Sequence, residues 1–203
     1  MCFIHPNIAD KQHMPFIYNM FYPHPNELIF DLPANFEPGE DYEYCNTNYL
    51  FLNKIMDNIL GYDNFRFIRE EILIPLKLNN TFSSLSEVNI DVVMSGYHVG
   101  HPHDLKNDEH GMIATAEDVG IFLRALNEGS LFDGGEQEIY SSIYEYKHSG
   151  WVPGYQSFAE YHEDLDAVVI LLTNTTDPKL YMWNLAEIVC SRIVKILRRQ
   201  KSS

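Results

Sequence analysis

The sequence has few cysteines, few basic residues and no long apolar run, and each shortage argues against a class of protein. Its three cysteines, Cys2, Cys45 and Cys190, are widely spaced and odd in number, which argues against a disulfide framework or a zinc knuckle. Lys and Arg total 14 against 29 Asp and Glu, a formal net charge of −15, so we expect no nucleic-acid partner. Because no apolar run is long enough to cross a bilayer, we also expect no membrane insertion.

The first ten residues lack the charged and apolar regions of a secretory signal peptide, so we expect none in this chain. The sequence does have a globular composition: 203 residues that are 45% hydrophobic, with abundant Tyr and Phe. That length is enough for one domain with a sizeable core. Prolines recur throughout residues 1–35 and predict an irregular lead-in there.

Residues 36–135 are predicted to form a mainly helical region. Apolar residues recur at helical spacing over Asn46–Leu60, and Gly61 is a natural C-terminal stop for that helix. A second helix is predicted within residues 63–75, ending at a proline. Residues 89–107 are rich in loop-forming residues, so we expect a long irregular connection after it.

A third helix is predicted to begin after Thr115, whose hydroxyl can cap the helix. Asp118 follows three residues later as the partner expected in a capping box. Gly129 is predicted to end this helix. Its predicted buried stripe consists of Val119, Phe122, Leu123 and Leu126.

Residues 136–203 are predicted to form strands followed by a helix. β-prone residues over 138–147 predict one strand, residues 155–162 a second, and the near-continuous apolar run 167–173 a third that is buried on both faces. A tight acidic turn between the last two implies antiparallel pairing. The final helix, 181–199, is predicted to cover the sheet. Its predicted inner stripe is Met182, Leu185, Val189, Ile193, Ile196 and Leu197.

One stretch, from Phe36 to Tyr49, carries the first chemical motif, F-E-P-G-E-D-Y-E-Y-C-N-T-N-Y. Pro38-Gly39 is a turn signal, because proline presets φ and glycine accepts positive φ. Tyr44 and Asn46 then lie at the start of the first predicted helix. A helix start supplies backbone N–H groups and a positive dipole end, so these two polar side chains are well placed to face a pocket.

This stretch resembles the second active-site motif of the serine β-lactamase and penicillin-binding-protein superfamily. The most similar branch contains class C β-lactamases, D-alanyl-D-alanine carboxypeptidases and esterases, in which Pro-Gly and Tyr-Ser-Asn or Tyr-Ala-Asn precede an apolar helix. Residues 74–81 are similar to the family's Pro-Leu-Gly-Met-x-x-Thr segment, and residues 111–118 to its Gly-Gly-(Leu/Met)-x-Ser-Thr-x-x-Asp segment. His148-Ser149-Gly150 is similar to the third active-site element, His-x-Gly.

The resemblance implies one α+β domain of β-lactamase/transpeptidase-like fold over residues 1–203, in incomplete form. The C-terminal antiparallel strands would pack with the terminal helix, beside a helical region. Members of the family hydrolyse amide or ester bonds of small molecules or peptides through an acyl-enzyme. The resemblance implies no metal or organic cofactor, and members commonly act outside the cytoplasm.

The resemblance also assigns roles to single residues. Tyr44 and His148 would be catalytic, with Tyr44 carrying protons to and from the nucleophile and leaving group. Asn46 would hydrogen-bond the substrate amide, and Trp151 would donate one oxyanion-hole N–H. His148 should lie on an edge strand of the cleft, where small Gly150 lets the substrate backbone approach. The substrate-binding set implied is Asn46, Ser149, Gly150 and Trp151.

The sequence departs from the family at the nucleophile. The family's Ser-x-x-Lys places nucleophile and base on one helical turn, and no serine of this chain has a lysine three residues later. The nearest pattern, Thr176-x-x-Lys179, follows the last predicted strand. Two N-terminal strands of the family's sheet have no counterpart either. We therefore expect a truncated form, either a fragment or a natural short form, that does not acylate by itself.

Three alternative hypotheses stay open. A histidine-rich loop could bind zinc, although a solvated loop explains the same residues. Cys45 could replace the missing nucleophile with His148 as its base. The chain could instead be a non-enzymatic binding domain, with self-association through the sheet edge that missing strands would expose. The ligands of the zinc hypothesis would be His98, His101, His103, Asp104 and His110.

Overall fold

The computed structural model describes residues 34–37, 39–41, 46–107, 111–143 and 147–202, with the side chains of residues 46, 47 and 143 outside the description. Contacts divide the chain into two units, Met1–Ile68 and Arg69–Ser203, which we describe separately. The predicted irregular lead-in over 1–35 lies almost entirely outside the described residues. The single-domain organisation stays a prediction.

Two helices form the described part of the first unit. Helix α1 spans Asn46–Leu60, the predicted bounds, and α2 spans Asn64–Ile68. Gly61 ends α1 with a φ of 74° and donates its N–H to the Asp57 carbonyl at 2.9 Å. The Asp57 carboxylate accepts the Asn64 N–H at 2.6 Å and the Asn64 side-chain amide at 2.8 Å, so it joins the end of α1 to the start of α2.

The second unit opens with short elements. The helix predicted over 63–75 is present in two pieces, α2 and a π-helical turn at Arg69–Leu73. Strand β1, Thr81–Phe82, pairs antiparallel with β3, Ile113–Ala114. Between them the chain is irregular, as predicted, apart from two short 3₁₀ turns and strand β2, Tyr97–His98.

Helix α3 spans Ala116–Glu128 and begins as predicted. The Thr115 hydroxyl accepts the Asp118 N–H at 3.2 Å, which caps the helix. The Asp118 carboxylate is engaged elsewhere, because its Oδ2 accepts the Asn80 N–H and the Thr81 hydroxyl, each at 2.8 Å. Asp118 therefore ties β1 to α3, a long-range role that local spacing does not reveal.

The inner face of α3 follows the predicted stripe. Leu123 is buried, its predicted neighbours are partly buried, and Ala125 is buried as well. Gly129 ends the helix with a φ of 75°. Gly120 lies against the Ile170 side chain, since a Cβ at position 120 would sit 3.3 Å from Ile170 Cδ1. This contact places α3 on the sheet.

Helix α4 spans Glu136–Ile143, so the strand predicted from residue 138 is wrong over 138–143. Two features that favour a helix outweigh the β-prone residues. Glu136 and Glu138 lie in the first turn, where carboxylates interact favourably with the helix dipole. Tyr140 packs its ring on that of Phe132, with centroids 4.8 Å apart, so the helix contacts the segment that precedes it.

A three-stranded antiparallel sheet follows, in the order β4-β5-β6. Strands β5, Tyr155–His162, and β6, Ala167–Thr173, have their predicted bounds, and β4 spans Lys147–Val152. The acidic turn is a 3₁₀ turn at Glu163–Leu165 closed by Asp166, whose φ is 50°. The antiparallel pairing predicted from this turn is confirmed.

Helix α5, Tyr181–Lys201, packs against the sheet. Phe158 of β5 is buried against α5, and its ring lies 4.5 Å from that of Trp183. Leu171, its partner on β6, joins the same cluster, whereas the preceding residue, Ile170, contacts α3. Side chains alternate across a strand, so α3 and α5 cover opposite faces. The prediction that β6 is buried on both faces fails at Leu172, which is 41% exposed.

The buried stripe of α5 differs from the predicted one. Ala186, Cys190 and Val194 are buried at a spacing of four residues, whereas Leu185 and Ile196 are 52% and 55% exposed. Small residues at 186 and 190 let the helix backbone approach Phe158 closely, so packing outweighs side-chain size in setting the phase of the helix. Of the other predicted members, Ile193 is exposed and Met182, Val189 and Leu197 are partly buried.

Strand β7, Thr175–Thr176, pairs in parallel with β2 in the register Tyr97↔Thr175 and His98↔Thr176. This pairing attaches the irregular segment before α3 to the end of the sheet region. Among the described residues, no helix combines the length and the apolar character needed to cross a membrane.

Candidate active site

The third predicted motif lies on β4. Within the described residues β4 pairs only with β5, so its other edge is unpaired. His148 and Ser149 are exposed on this strand, while Gly150 and Trp151 are half-buried. The structure therefore places the four residues His148–Trp151 in succession along one accessible edge strand. An unpaired edge offers backbone N–H and C=O groups to a ligand.

Gly150 has a packing reason to be glycine. It stands opposite Ser157 of β5, and a Cβ at position 150 would lie 2.8 Å from Ser157 Oγ. A Cβ at 150 would therefore require the Ser157 hydroxyl to move. The glycine that resembles the family motif thus also leaves room for the Ser157 side chain of β5.

The turn after Trp151 is tightly packed. Gly154 has a φ of 91°, a conformation that side chains with a Cβ rarely adopt. A Cβ there would lie 3.1 Å from Leu105 Cδ1 and 3.2 Å from the Gly96 carbonyl carbon. The Trp151 ring stands nearly perpendicular to the His98 ring, with centroids 6.0 Å apart. The end of β4 is therefore held by the segment 96–105.

A buried polar group lies behind this turn. Thr176 is fully buried, and its hydroxyl oxygen accepts the Gly154 N–H at 2.8 Å. His98 is also buried, and its Nδ1 lies 2.8 Å from the same oxygen. Burial lowers the pKa of His98, the charge of His101 lowers it further, and Asp177 opposes the shift. Sequence reasoning considered His98 only as a metal ligand, and nothing local in the sequence indicated its partner 78 residues away.

The Thr176-x-x-Lys179 segment has a structural role at the start of α5. Asp177, between these two residues, accepts the N–H groups of Lys179 and Tyr181 at 2.9 and 3.1 Å on Oδ1, and that of Met182 at 2.8 Å on Oδ2. These bonds, led by the one from Met182, hold the pKa of Asp177 below its ordinary value. The segment is thus the N-terminal cap of α5, and the buried hydroxyl of Thr176 is no exposed nucleophile.

The histidine-rich loop of the zinc hypothesis shows no ligand cluster. His101 and His103 pack their rings 5.6 Å apart, while Asp104 Oδ1 accepts the N–H groups of Gly96 and Lys106, each at 3.0 Å. A hydrogen bond from the Ser95 hydroxyl is the main reason that the pKa of Asp104 is lowered. In the part of the chain that the structure describes, no group of three or more His, Cys, Asp or Glu could hold a metal ion. His110 lies outside that part.

The other half of the predicted site lies beyond what the structure describes. Tyr44 and Cys45 are outside the described residues, and only the backbone of Asn46, at the start of α1, is within them. The meeting of Tyr44 with His148 in one groove therefore stays a prediction. The same holds for Cys45 as a nucleophile with His148 as its base.

A family model described as Beta-lactamase matches residues 18–142. That span is more than half of the chain. It includes the Tyr44 motif and the segments at 74–81 and 111–118, and it ends before His148. The match therefore rests on the helical region and is independent of the strand that carries the third motif.

The fold is similar to several solved structures. D-amino acid amidase from Ochrobactrum anthropi SV3, complexed with L-phenylalanine, is 21% identical with a TM-score of 0.73 over 87% of this chain and 62% of that chain. A D-stereospecific amidohydrolase from Streptomyces sp. is 20% identical with a TM-score of 0.63, over 73% and 55%. A penicillin binding protein from Bacillus halodurans is 13% identical with a TM-score of 0.64, over 80% and 60%.

This chain thus spans less than two thirds of the length of each of these proteins. At sequence identities of 13% to 21%, the structural similarity shows the fold alone. It confirms the predicted fold class, an α+β fold of β-lactamase/transpeptidase-like type in partial form.

Proposed function

Because this chain belongs to the beta-lactamase family, a family of serine hydrolases, we propose that β4 forms one wall of a site for a small amide or ester substrate. The observation that carries this proposal is the position of His148–Trp151 on an accessible edge strand. An extended substrate backbone can pair with such an edge, and Gly150 leaves the approach unobstructed.

Each residue of the strand has a proposed task. The Trp151 N–H donates to the oxygen on which negative charge develops during attack at the carbonyl, since a fixed backbone donor stabilises that charge. Ser149 and Gly150 contact the bound substrate. His148 exchanges a proton with the leaving group, because an imidazole can both donate and accept one.

The helical region supplies the rest of the proposed site. Asn46 hydrogen-bonds the substrate amide, and Tyr44 carries the proton between nucleophile and leaving group. A tyrosine has an ordinary pKa of about 10, so it needs a nearby cation to act as a base at neutral pH. The amidase with the similar fold was studied with phenylalanine and its amide, which supports small amino-acid amides as the substrate class to test first.

The sequence contains no Ser-x-x-Lys, and we propose that this polypeptide does not form an acyl-enzyme by itself. The test treats the purified chain with a fluorescent β-lactam and, separately, with a fluorophosphonate probe. We expect no labelled serine by peptide mass spectrometry. A stoichiometric adduct on any serine would overturn this part of the proposal.

Substrate binding is tested separately from acylation. We expect D-phenylalanine amide to shift the NMR signals of the His148 imidazole and of β4 amides in a saturable manner. Gly150→Val should abolish these shifts, whereas Ile139→Val, on the exposed side of α4, should leave them unchanged. Shifts that spare β4, or that survive Gly150→Val, would contradict the assignment of β4 as the substrate wall.

A second candidate function is a non-catalytic association domain of the same fold. Its support is the exposed apolar surface of α5 at Leu185, Ile188 and Ile196, together with the outer edge of β6, which has no partner strand among the described residues. Edges and apolar faces of this kind favour pairing with another chain. Sedimentation velocity that shows a monomer at all concentrations would contradict this candidate.

A further inference from the structure

The buried contact between His98 and Thr176 joins three parts of the second unit that are far apart in sequence. His98 comes from β2, Thr176 from β7, and Gly154 from the turn between β4 and β5. Both side chains are almost completely withdrawn from solvent, with exposed fractions of 4% and 0%. Polar groups this deeply buried are costly unless they are paired, so the arrangement of their hydrogen atoms is constrained.

The hydrogen-bond directions follow from the donors available. The Thr176 oxygen accepts the Gly154 N–H, and the one acceptor recorded for its own proton among the described residues is Nδ1 of His98. If the hydroxyl donates to Nδ1, His98 is neutral and carries its proton on Nε2. That Nε2 is buried and has no hydrogen-bond partner in the described residues. In that tautomer, the chain from Gly154 N–H to Thr176 O–H to His98 Nδ1 runs in one direction.

We propose that His98 and Thr176 are a positioning pair that fixes the end of β4, from Trp151 to Gly154, through this hydrogen-bond chain. Thr176 holds the Gly154 backbone and His98 packs edge to face with the Trp151 ring, so the pair fixes the strand at two points. Only the consequence for substrate rests on the proposed function, in which the Trp151 N–H faces the developing oxyanion.

Protonation of His98 should break the chain. Imidazolium Nδ1 carries a hydrogen and cannot accept the Thr176 proton, so the hydrogen bond between the two side chains must reverse and the hydroxyl proton loses its acceptor. The ionisable groups that act on His98 are His101, from the loop after β2, and Asp177, which precedes α5. Burial dominates over both and disfavours the charged imidazole. The hydrogen bond from the Thr176 hydroxyl to His98 Nδ1 is accordingly present at neutral pH and is lost when His98 is protonated in acid.

A single-tryptophan variant tests the contact with Trp151. The chain has two tryptophans, and Trp183→Phe removes the one on α5 while keeping an aromatic ring against Phe158. We expect Trp151 emission in this variant to change with a midpoint below pH 6.5, the ordinary value for histidine, because an imidazolium quenches a neighbouring indole. Adding His98→Gln should abolish the transition. A transition that persists in the double variant would overturn the proposal.

Hydrogen exchange tests the contact with Gly154. Thr176→Val keeps the shape of the side chain but removes the hydroxyl. In this variant we expect hydrogen exchange of the Gly154 amide to accelerate about tenfold more than that of the β6 amides. Thr176→Ser keeps the hydroxyl and should restore protection of Gly154. Equal acceleration of Gly154 and β6 amides in Thr176→Val, or no rescue by serine, would overturn the positioning role.

Failure of the positioning pair and failure of the proposed function give different results. If Thr176→Val does not fold, Thr176→Ala, which also lacks the hydroxyl, gives the same comparison of Gly154 with β6. Neither readout needs substrate, so failure of D-phenylalanine amide to bind would defeat the proposed function without affecting this test. Conversely, unaltered Gly154 exchange would defeat the positioning pair while leaving substrate binding at β4 intact.

Discussion

Asp118 accepts a 2.8 Å hydrogen bond from the Thr81 hydroxyl, and the two residues are 37 positions apart in the chain. The same carboxylate oxygen accepts the Asn80 N–H, and Asp118 is only 3% exposed. The acidic residue that ends one family-like segment thus holds the threonine that ends another. This bond fixes β1 at the N-terminus of α3, so the two segments act as one structural unit.

Replacing Asp118 with Ala should lower the free energy of unfolding by about 2–3 kcal/mol, because two donors lose their acceptor in a buried setting. Urea denaturation followed by circular dichroism measures the change. Glu117→Ala is the matched control, since Glu117 is an exposed acid in the same helical turn and its removal should cost under about 0.5 kcal/mol. Equal losses in the two variants would contradict the role assigned to Asp118.

Gly150→Ala should destabilise the chain by about 1 kcal/mol or less, because the new Cβ would meet Ser157 Oγ, which can rotate away. Ser157→Ala removes that oxygen, so the double variant should recover most of the loss. A double-mutant cycle of unfolding free energies gives the coupling between the two sites. Additive effects would show that Gly150 is required for another reason.

Stability in acid should depend on Asp177. Its folded pKa lies below the ordinary 3.8, so its contribution is present above pH 3.8 and is lost as the pH falls toward the folded value. Asp177→Asn should therefore lower the melting temperature most at pH 7, with the gap to wild type narrowing below pH 3.8. Glu138→Gln, the same charge change at an exposed position of α4, is the control. A gap that stays constant with pH would contradict the cap.

Two positions on α5 distinguish the observed helix phase from the predicted one. Val194→Ala should cost about 2 kcal/mol because Val194 is buried against the sheet. Ile196→Ala removes more carbon atoms but should cost about 0.5 kcal/mol or less, since that side chain is 55% exposed. Thermal or urea unfolding measures both. The reverse order of costs would mean that the predicted stripe was right.

The elements whose signal is local could be predicted from the sequence. Helix α1 and strands β5 and β6 have their predicted bounds, because periodicity and turn residues are read within a few positions. The strand predicted over 138–143 failed because β-prone side chains were weighed without the helix-favouring acids of the first turn. The phase of α5 failed because small residues, which carry little hydrophobic signal, form its contact with Phe158.

The same difference between local and long-range signals applies to the candidate site. Residues His148–Trp151 were found from one short motif, and the structure puts them on an edge strand. Thr176 was set aside because it follows a strand in a loop-like segment, and its contacts with Gly154 and His98 span 22 and 78 positions. No local pattern encodes such contacts. Only a three-dimensional arrangement shows that the threonine contacts the turn after β4.

The parallel pairing of β2 with β7 gives the chain a built-in order of assembly. Chains emerge from the ribosome N-terminus first, and a pairing across so long a separation must wait for its later partner. The segment around His98 therefore leaves the ribosome well before Thr176 exists to receive it. During that interval the N–H groups of Tyr97 and Val99 lack the carbonyl groups of Asn174 and Thr176 that accept them in the folded chain, and a premature stop before residue 174 would leave them without these acceptors.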